Sequence, residues 1–201
     1  MSKYVSFGTL RPNDSTGTYS GPLIYRLPYE ATALIFELAA FRDTPTAFRI
    51  SHVSQRWRTI ALERRGLWTT IRVEENLEKV SILLERSGNK LIDIDMHASC
   101  SPLYRDILLP IAKHCHRWRS FSLTPIGSVP IVGQFLRTLH TPRLESLMIP
   151  SVDAMKFANT PSVRRLSVSV EHISRSKLMA NARLFKQLTH LSCPLAIGNV
   201  S

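Results

Sequence analysis

The residue types that most often do chemistry are sparse and scattered along this 201-residue chain. One cluster of metal-binding types occurs, His114-Cys115-His116. On a helix its two imidazoles would point about 200° apart. No second ligand pair follows at a set distance, whereas zinc sites gather four ligands from such pairs. The cluster is therefore predicted to be a polar helix end, and no metal site is expected.

Two pairs of carboxylates could in principle supply an acid and a base, namely Glu74-Glu75 and Asp93 with Asp95. Asp93 and Asp95 alternate with apolar residues, and alternation in a strand places them on the face opposite the core. A solvated face is therefore predicted. The sequence contains no GxGxxG, GxxxxGK[ST], GxSxG or HExxH pattern, so we expect neither an enzyme nor a cofactor.

The cysteines and the hydropathy pattern indicate an intracellular protein, in the cytoplasm, the nucleus or both. The three cysteines are far apart and odd in number, which argues against a disulfide framework: Cys100, Cys115 and Cys193. Nothing approaches the roughly 18 consecutive apolar residues of a membrane helix, and the N-terminus has no signal-peptide pattern. No membrane partner is expected.

Positive charge is concentrated in the C-terminal half. Of the net charge of +11, residues 97–201 contribute +9, with thirteen Lys or Arg against four Asp or Glu. Such a field attracts acidic partners, whether protein, nucleic acid or anionic lipid. The candidate contacts for an acidic target are Arg117, Arg119, Arg164 and Arg165. Their alternation with apolar residues favours an outward-facing protein-binding surface over base stacking.

The N-terminal third predicts a tail followed by three short helices. Residues 1–22 are rich in Ser, Thr, Gly, Asn, Asp and Pro and are expected to be disordered. The first helix follows Leu27-Pro28, with an apolar stripe at helical spacing: Ala31, Leu34, Ile35 and Leu38. Thr44 and Ser54 are predicted to cap the second and third helices, and Gly66 to end the third. The alternation over residues 67–73 predicts a strand.

The remainder repeats a short apolar pattern. Five segments share an apolar residue, two variable residues, then apolar–x–apolar, and begin 19 to 27 residues apart: 91–96, 118–123, 144–149, 163–168 and 188–193. Helix-like stretches lie between them, including 132–139 and 178–185. Units of about 20–29 residues of this kind are typical of leucine-rich repeats, which must stack to bury their apolar edges.

Residues 27–73 resemble the F-box. The family's pattern occurs in order and at workable spacing: Leu27-Pro28, Glu30, Ile35-Phe36, Val53-Ser54, Trp57-Arg58 and Leu67-Trp68. Ala31 stands where a larger aliphatic residue is common, and Gly66 where proline usually precedes Leu-Trp. The resemblance implies that a Skp-type adaptor is contacted by seven residues of this pattern: Leu27, Pro28, Ile35, Phe36, Val53, Trp57 and Trp68. Core packing is the alternative role for Trp57 and Trp68.

The whole of residues 23–195 is similar to the leucine-rich-repeat F-box proteins expanded in mushroom-forming fungi. LLERSGNKLIDIDM and HCHRWRSFSL carry the resemblance after the box. Relatives of this type usually run longer, and no capping unit follows the last repeat, so a truncated product is one interpretation. The expected domains are a tail at 1–22, an F-box-like domain at 23–73 and a leucine-rich-repeat-like region at 74–201.

The expected fold is α/β, with a three-helix F-box-like module followed by a short repeat arc with a curved parallel sheet. The resemblance implies a non-catalytic substrate receptor of a Skp-cullin-F-box ubiquitin ligase, which joins the Skp-type adaptor and its cullin to a target for ubiquitin-dependent degradation. Two alternatives remain. One is a scaffold that keeps the box fold but joins no ligase, and the other is a basic nucleic-acid-binding protein.

Overall fold

The computed structural model describes residues 22–41, 43–73, 77–98, 104–125, 136–150, 160–168 and 182–192. Within these ranges the chain has an α/β fold, with six α-helices and one six-stranded parallel sheet. The predicted tail at 1–22 lies outside the described residues apart from Pro22, and so does the first half of the helix-like stretch 132–139. None of the described helices is long and apolar enough to cross a membrane.

The described elements have the following bounds. The α-helices are α1 Tyr29–Ala39, α2 Thr44–Val53, α3 Gln55–Glu63, α4 Leu77–Arg86, α5 Tyr104–Ala112 and α6 Ala182–Gln187. The strands are β1 Thr70–Val73, β2 Ile92–Ala98, β3 Trp118–Pro125, β4 Ser146–Ile149, β5 Arg165–Val168 and β6 His190–Ser192. Short 3₁₀ helices span Leu23–Arg26, Arg65–Trp68 and Cys115–Arg117.

The first three α-helices form a compact unit, called the helix unit below. The Ser54 hydroxyl accepts a hydrogen bond from the Trp57 amide at 3.2 Å, so Ser54 caps α3 as predicted. The prediction that Thr44 caps α2 is wrong, because Asp43 precedes the helix and Thr44 lies inside it. The prediction that α3 reaches Gly66 is also wrong, since the helix ends at Glu63.

The sheet is strictly sequential: its strands lie in the order β1 to β6 and every neighbouring pair is parallel. Each of the five repeated apolar segments overlaps one of the strands β2 to β6. The prediction of a parallel sheet is therefore confirmed. Sequential parallel strands require a crossover between each pair, and α4, α5 and α6 lie in three of those connections.

One face of the sheet is the core of the molecule. Side chains alternate between the two faces of a strand, and the buried positions line up across the register. The first row is Ile71, Ile94, Phe121, Leu147 and Leu166, and a second buried set is Val73, Met96, Leu123, Ile149 and Val168. The other face carries polar and half-buried side chains, and is called the open face below.

Trp68 joins the helix unit to the sheet region. Its indole is fully buried, and its Nε1 donates a hydrogen bond to the Ala61 carbonyl at 2.8 Å. The Phe48 ring meets it edge-on at 5.3 Å, and the Arg86 guanidinium of α4 lies 4.4 Å from its ring centre. The prediction of a strand over 67–73 is therefore wrong at Leu67, Trp68 and Thr69, because the indole packs into the helix unit and β1 starts at Thr70.

The helix unit also covers the first edge of the sheet. The Thr44 hydroxyl donates to the Thr70 carbonyl at 2.9 Å, which satisfies a backbone acceptor on the edge strand β1. Asp93 of β2 bonds through its amide to the Thr69 carbonyl at 2.9 Å, so the residue before β1 is fixed as well. The helix unit and the sheet are consequently held by both apolar and polar contacts.

Candidate partner-binding surfaces

A row of apolar side chains on α1 and the turn that follows it faces solvent. Leu34, Leu38 and Phe41 follow one another at i, i+4 and i+7 and are 57%, 69% and 70% exposed. Ile35, next to Leu34, is 41% exposed. These four side chains are called the α1 patch below. Contiguous exposed apolar side chains on a folded domain mark sites where another surface docks.

The α1 patch is exposed because α1 has a second face that fits the core better. Thr32, Ala33 and Phe36 are buried, and the Phe36 ring lies 4.7 Å from that of Trp57 on α3. Small residues at Thr32 and Ala33 allow close approach of the neighbouring helices, whereas the larger leucines of the patch remain outside. The apolar stripe of the sequence therefore faces solvent. Leu34, Leu38 and Phe41 were missing from the predicted site, although their spacing already indicated a single face.

The segment before α1 is held in place by Arg56. Its guanidinium donates to the carbonyls of Tyr25 at 2.7 Å and of Leu27 at 3.0 Å. Leu27 is half-buried, and Pro28 is exposed at the start of α1. Arg56 lies in the first turn of α3, three residues after the exposed Val53 at the end of α2. Its two hydrogen bonds therefore hold the Leu27 segment close to the junction of α2 and α3. Four predicted contact residues, including Ile35, are thus accessible at least in part.

The three aromatic residues of the predicted adaptor contact lie deeper. Phe36 and Trp68 are 1% and 0% exposed, so their side chains are not available to a partner in this structure. Trp68 therefore packs in the core, which was the alternative to a contact with the adaptor. Trp57 is half-buried and packs against the core through Phe36. The physical reason is size, since large rings fill the centre of a small three-helix unit.

The open face of the sheet has two rows of side chains set by the strand register. The row nearer the start of the strands is Thr70, Asp93, Ser120, Ser146, Arg165 and His190. The next row is Arg72, Asp95, Ser122, Met148, Ser167 and Ser192. Hydroxyl groups and charged groups therefore dominate this face, in agreement with the predicted solvated face at Asp93 and Asp95.

Charges on the first half of the open face are paired. A β-bulge inserts Arg119 between the residues that pair with Ile92 and Asp93. From this position the Arg119 guanidinium donates two hydrogen bonds to the Asp93 carboxylate. The same carboxylate accepts a hydrogen bond from the Ser120 hydroxyl at 2.7 Å. This hydrogen bond with Asp93 raises the pKa of Arg119 above its ordinary value. A longer contact of 3.9 Å joins Arg72 to Asp95.

Arg117 does not lie on the open face, which corrects its prediction as a target contact. Its side chain is only 3% exposed. Its guanidinium donates hydrogen bonds to the Ser87 hydroxyl and to three carbonyls at and just after the end of α4, those of Leu84, Gly88 and Lys90. Burial lowers the pKa of Arg117 below its ordinary value. The guanidinium fork satisfies carbonyls that the helix itself leaves unpaired. Arg117 is therefore a structural link between α4 and β3.

The other two predicted target contacts remain at the surface. Arg164 and Arg165 are both exposed, at the start of β5. Arg164 contacts the Val163 carbonyl at 3.4 Å. Arg165 takes its place on the open face between Ser146 and His190. Of the four predicted arginines, Arg119 and Arg165 lie on the open face. Arg119 is paired with Asp93, whereas Arg165 has no carboxylate partner among the described residues.

The potential metal ligands among the described residues are scattered. No group of three or more His, Cys, Asp and Glu side chains gathers anywhere within the described ranges. The His114 and His116 rings lie 6.4 Å apart, and burial lowers the pKa of His114 below its ordinary value. Comparison with models of protein families, with curated proteins and with solved structures finds no match for this chain.

Proposed function

We propose that this protein is a non-catalytic substrate receptor of a Skp-cullin-F-box ubiquitin ligase. In this proposal the helix unit is an F-box-like domain that docks on a Skp-type adaptor. The strands from β2 onward belong to a leucine-rich-repeat arc with a curved sheet, and this region recruits a target protein. The receptor carries out no chemistry, because bringing a target beside a charged conjugating enzyme raises its effective concentration and is sufficient for transfer.

The observation that carries the proposal is the exposure of the α1 patch beside the Leu27-Pro28 segment. Four large apolar side chains on α1 and the turn that follows it would be costly to leave in water, at roughly 25 cal/mol per Å² of apolar surface. Interfaces gain most of their affinity from such anchors once they are covered by a partner. Ile35 and Pro28, two residues of the F-box-like pattern, belong to this exposed region.

The sheet region supports the proposed recruitment of a target protein. Its strands are short, sequential and parallel, and each presents two or three side chains on the open face. Stacked units of this kind create an extended surface for protein ligands. The open face is rich in hydroxyl groups and retains a positive charge at Arg165, which suits an acidic target.

The proposal is tested by co-purification with a Skp-type adaptor. The intact protein is expected to retain the adaptor, and Leu27→Ala combined with Pro28→Ala is expected to reduce its recovery about tenfold, because both side chains flank the α1 patch. Neither residue is buried, so circular dichroism is expected to be unchanged. Undiminished adaptor recovery by the double variant would count against the docking role of this segment.

A scaffold outside any ligase is the second candidate, and it would bind its partners through the sheet. The two candidates differ in whether binding needs the helix unit. Deleting residues 25–73 removes the receptor's link to the ligase, whereas a scaffold that binds through its sheet keeps its partners in a pull-down followed by mass spectrometry. Nucleic-acid binding is disfavoured, because Arg117 is buried and Arg119 is paired with Asp93.

A further inference from the structure

A cleft of about 650 Å³ lies between the helix unit and the start of the sheet. One wall belongs to α1 and includes Glu37, and the floor includes Arg65 in the 3₁₀ helix before β1. The other wall is formed where β2 and β3 begin and includes Lys90 and Arg119. Sites for small molecules usually have volumes of about 300–1,000 Å³, so this cleft is large enough to hold one.

Four charged side chains of the cleft are already engaged by the protein. Asp93 and Arg119 pair with each other. Glu63 accepts a hydrogen bond from the Tyr29 hydroxyl at 2.6 Å, and the Arg64 guanidinium lies 5.3 Å from the centre of the Tyr29 ring. These contacts hold the four side chains against the protein and make them less available to a ligand.

Three further charged side chains of the cleft have no hydrogen-bond or ion-pair partner among the described residues. They are the carboxylate of Glu37 and the cations of Arg65 and Lys90. The chain at Lys90 is nevertheless fixed, because its carbonyl accepts a hydrogen bond from Arg117 at 3.2 Å. Arg65 packs closely over Gly88, whose φ is 55° and where a Cβ would lie only 2.8 Å from Arg65 Nη1. The cleft therefore holds two available cations and one available carboxylate.

Gly66 leaves the Glu37 carboxylate uncovered on the side of the cleft. A Cβ on Gly66 would lie 3.5 Å from Glu37 Oε1 and 3.8 Å from its Cδ. The F-box pattern usually has proline at this position, and a proline ring would extend beside the carboxylate. Glycine at this position keeps that space open.

We propose that the cleft binds a small acidic peptide of two or three residues that has a free amino group. The ammonium group of the ligand pairs with Glu37. Its two carboxylates, one on a side chain and one at the C-terminus, pair with Arg65 and Lys90 through charge-assisted hydrogen bonds. Because the ligand contacts both α1 and the start of β2, it stabilises the packing of the helix unit on the sheet. This inference goes beyond the proposed function and does not depend on it.

A ligand with separated charges fits the cleft better than a polyphosphate does. The described residues that line the cleft include four cations and three carboxylates. A polyphosphate would bring all of its negative charge near those carboxylates, and repulsion between like charges would offset much of the attraction to the cations. A short acidic peptide instead places its ammonium group at the carboxylate wall and its carboxylates at the cations.

The test is isothermal titration calorimetry of the intact chain, without adaptor, with the dipeptide Glu-Ala as the probe. Two analogues remove one kind of charge each: N-acetyl-Glu-Ala lacks the ammonium group, and Gln-Ala amide lacks both carboxylates. Each analogue is expected to bind at least about tenfold more weakly, which corresponds to the loss of one charge-assisted hydrogen bond. No measurable binding of Glu-Ala at millimolar concentration would overturn the proposal, as would equal affinity for either analogue.

Two further probes distinguish the sources of such a group. A nonapeptide with Glu-Ala at its centre and both ends blocked is expected to bind at least about tenfold more weakly than Glu-Ala, because it has no free ammonium group. Tighter binding of this nonapeptide would assign the cleft to a segment of a partner protein. Tighter binding of inorganic triphosphate would assign it to a polyanion. Either result would overturn the proposal.

Matched variants locate the charges. In Glu37→Gln, Glu-Ala and its N-acetyl analogue are expected to bind equally, because acetylation then removes no ion pair. Arg65→Gln combined with Lys90→Gln is expected to remove the difference between Glu-Ala and Gln-Ala amide. Lys186→Gln, an exposed lysine of α6 outside the cleft, is expected to preserve both differences.

Persistence of these differences in the cleft variants, or their loss in the Lys186 variant, would overturn the proposal. None of the substituted side chains is buried, so circular dichroism is expected to show an unchanged fold. No adaptor is present in these titrations, so a failure here and a failure of adaptor docking are separate results.

Discussion

Replacing Leu34 and Leu38 by aspartate is expected to abolish binding of a Skp-type adaptor while the protein remains folded. Both side chains are more than half exposed on one face of α1. If the adaptor covers them, two buried anchors are replaced by two charges that would be desolvated without partners. Each anchor of this kind is worth about 2 kcal/mol or more, so the loss of both is expected to raise the dissociation constant about a thousandfold.

Folding is expected to survive, because neither leucine contributes to the core and aspartate costs an exposed helix only about 0.5 kcal/mol per residue. Isothermal titration calorimetry with purified adaptor measures the affinity, and circular dichroism monitors the fold. Leu109→Asp on α5 is the matched control, since Leu109 is 47% exposed but far along the chain from the α1 patch. Equal affinities for the patch variant and the Leu109 control would contradict the proposed docking surface.

Trp68→Ala is expected to have the largest effect on stability. The indole has no exposed surface and contacts Phe48, the Ala61 carbonyl and Arg86, so its removal leaves a cavity between the helix unit and α4. Such substitutions cost about 3–5 kcal/mol, out of a total stability of roughly 5–15 kcal/mol for a domain. Urea denaturation followed by circular dichroism measures the loss in the free energy of unfolding.

Two further substitutions separate the contributions at this junction. Trp68→Phe keeps most of the ring contacts but leaves the Ala61 carbonyl unpaired, and is expected to cost about 1–3 kcal/mol. Trp57→Ala removes a ring that is only half-buried and is expected to cost less than Trp68→Ala. If Trp57→Ala and Trp68→Ala were equally destabilising, the assignment of Trp68 as the link between the two regions would be wrong.

The strands could be predicted because their pattern depends on a local rule. Alternation of apolar and polar residues specifies both the strand and the face, and this holds in β2 to β5, where Ile94, Phe121, Leu147 and Leu166 are buried. Even the solvated position of Asp93 follows from this rule. The repetition of the pattern then leads to a sheet of sequential parallel strands.

The predictions that proved wrong concern features that depend on tertiary contacts, which no local sequence pattern encodes. Leu67 and Trp68 alternate like a strand, yet the indole packs into the helix unit and the backbone turns there. Arg117 was expected at the surface from its alternation with apolar residues, but carbonyls at the end of α4 bind its guanidinium. On α1 two apolar faces compete, and the smaller residues such as Ala33 allow the closer packing.

The central claim is that a partner covers the α1 patch, and hydroxyl-radical footprinting measures that directly. The side chains of Leu34, Ile35, Leu38 and Phe41 are labelled in the free protein and again with saturating Skp-type adaptor, with Met148 on the open face as internal reference. We predict that labelling of the patch falls several-fold in the complex while Met148 is unchanged. Unchanged labelling of the patch in the presence of bound adaptor would contradict the account.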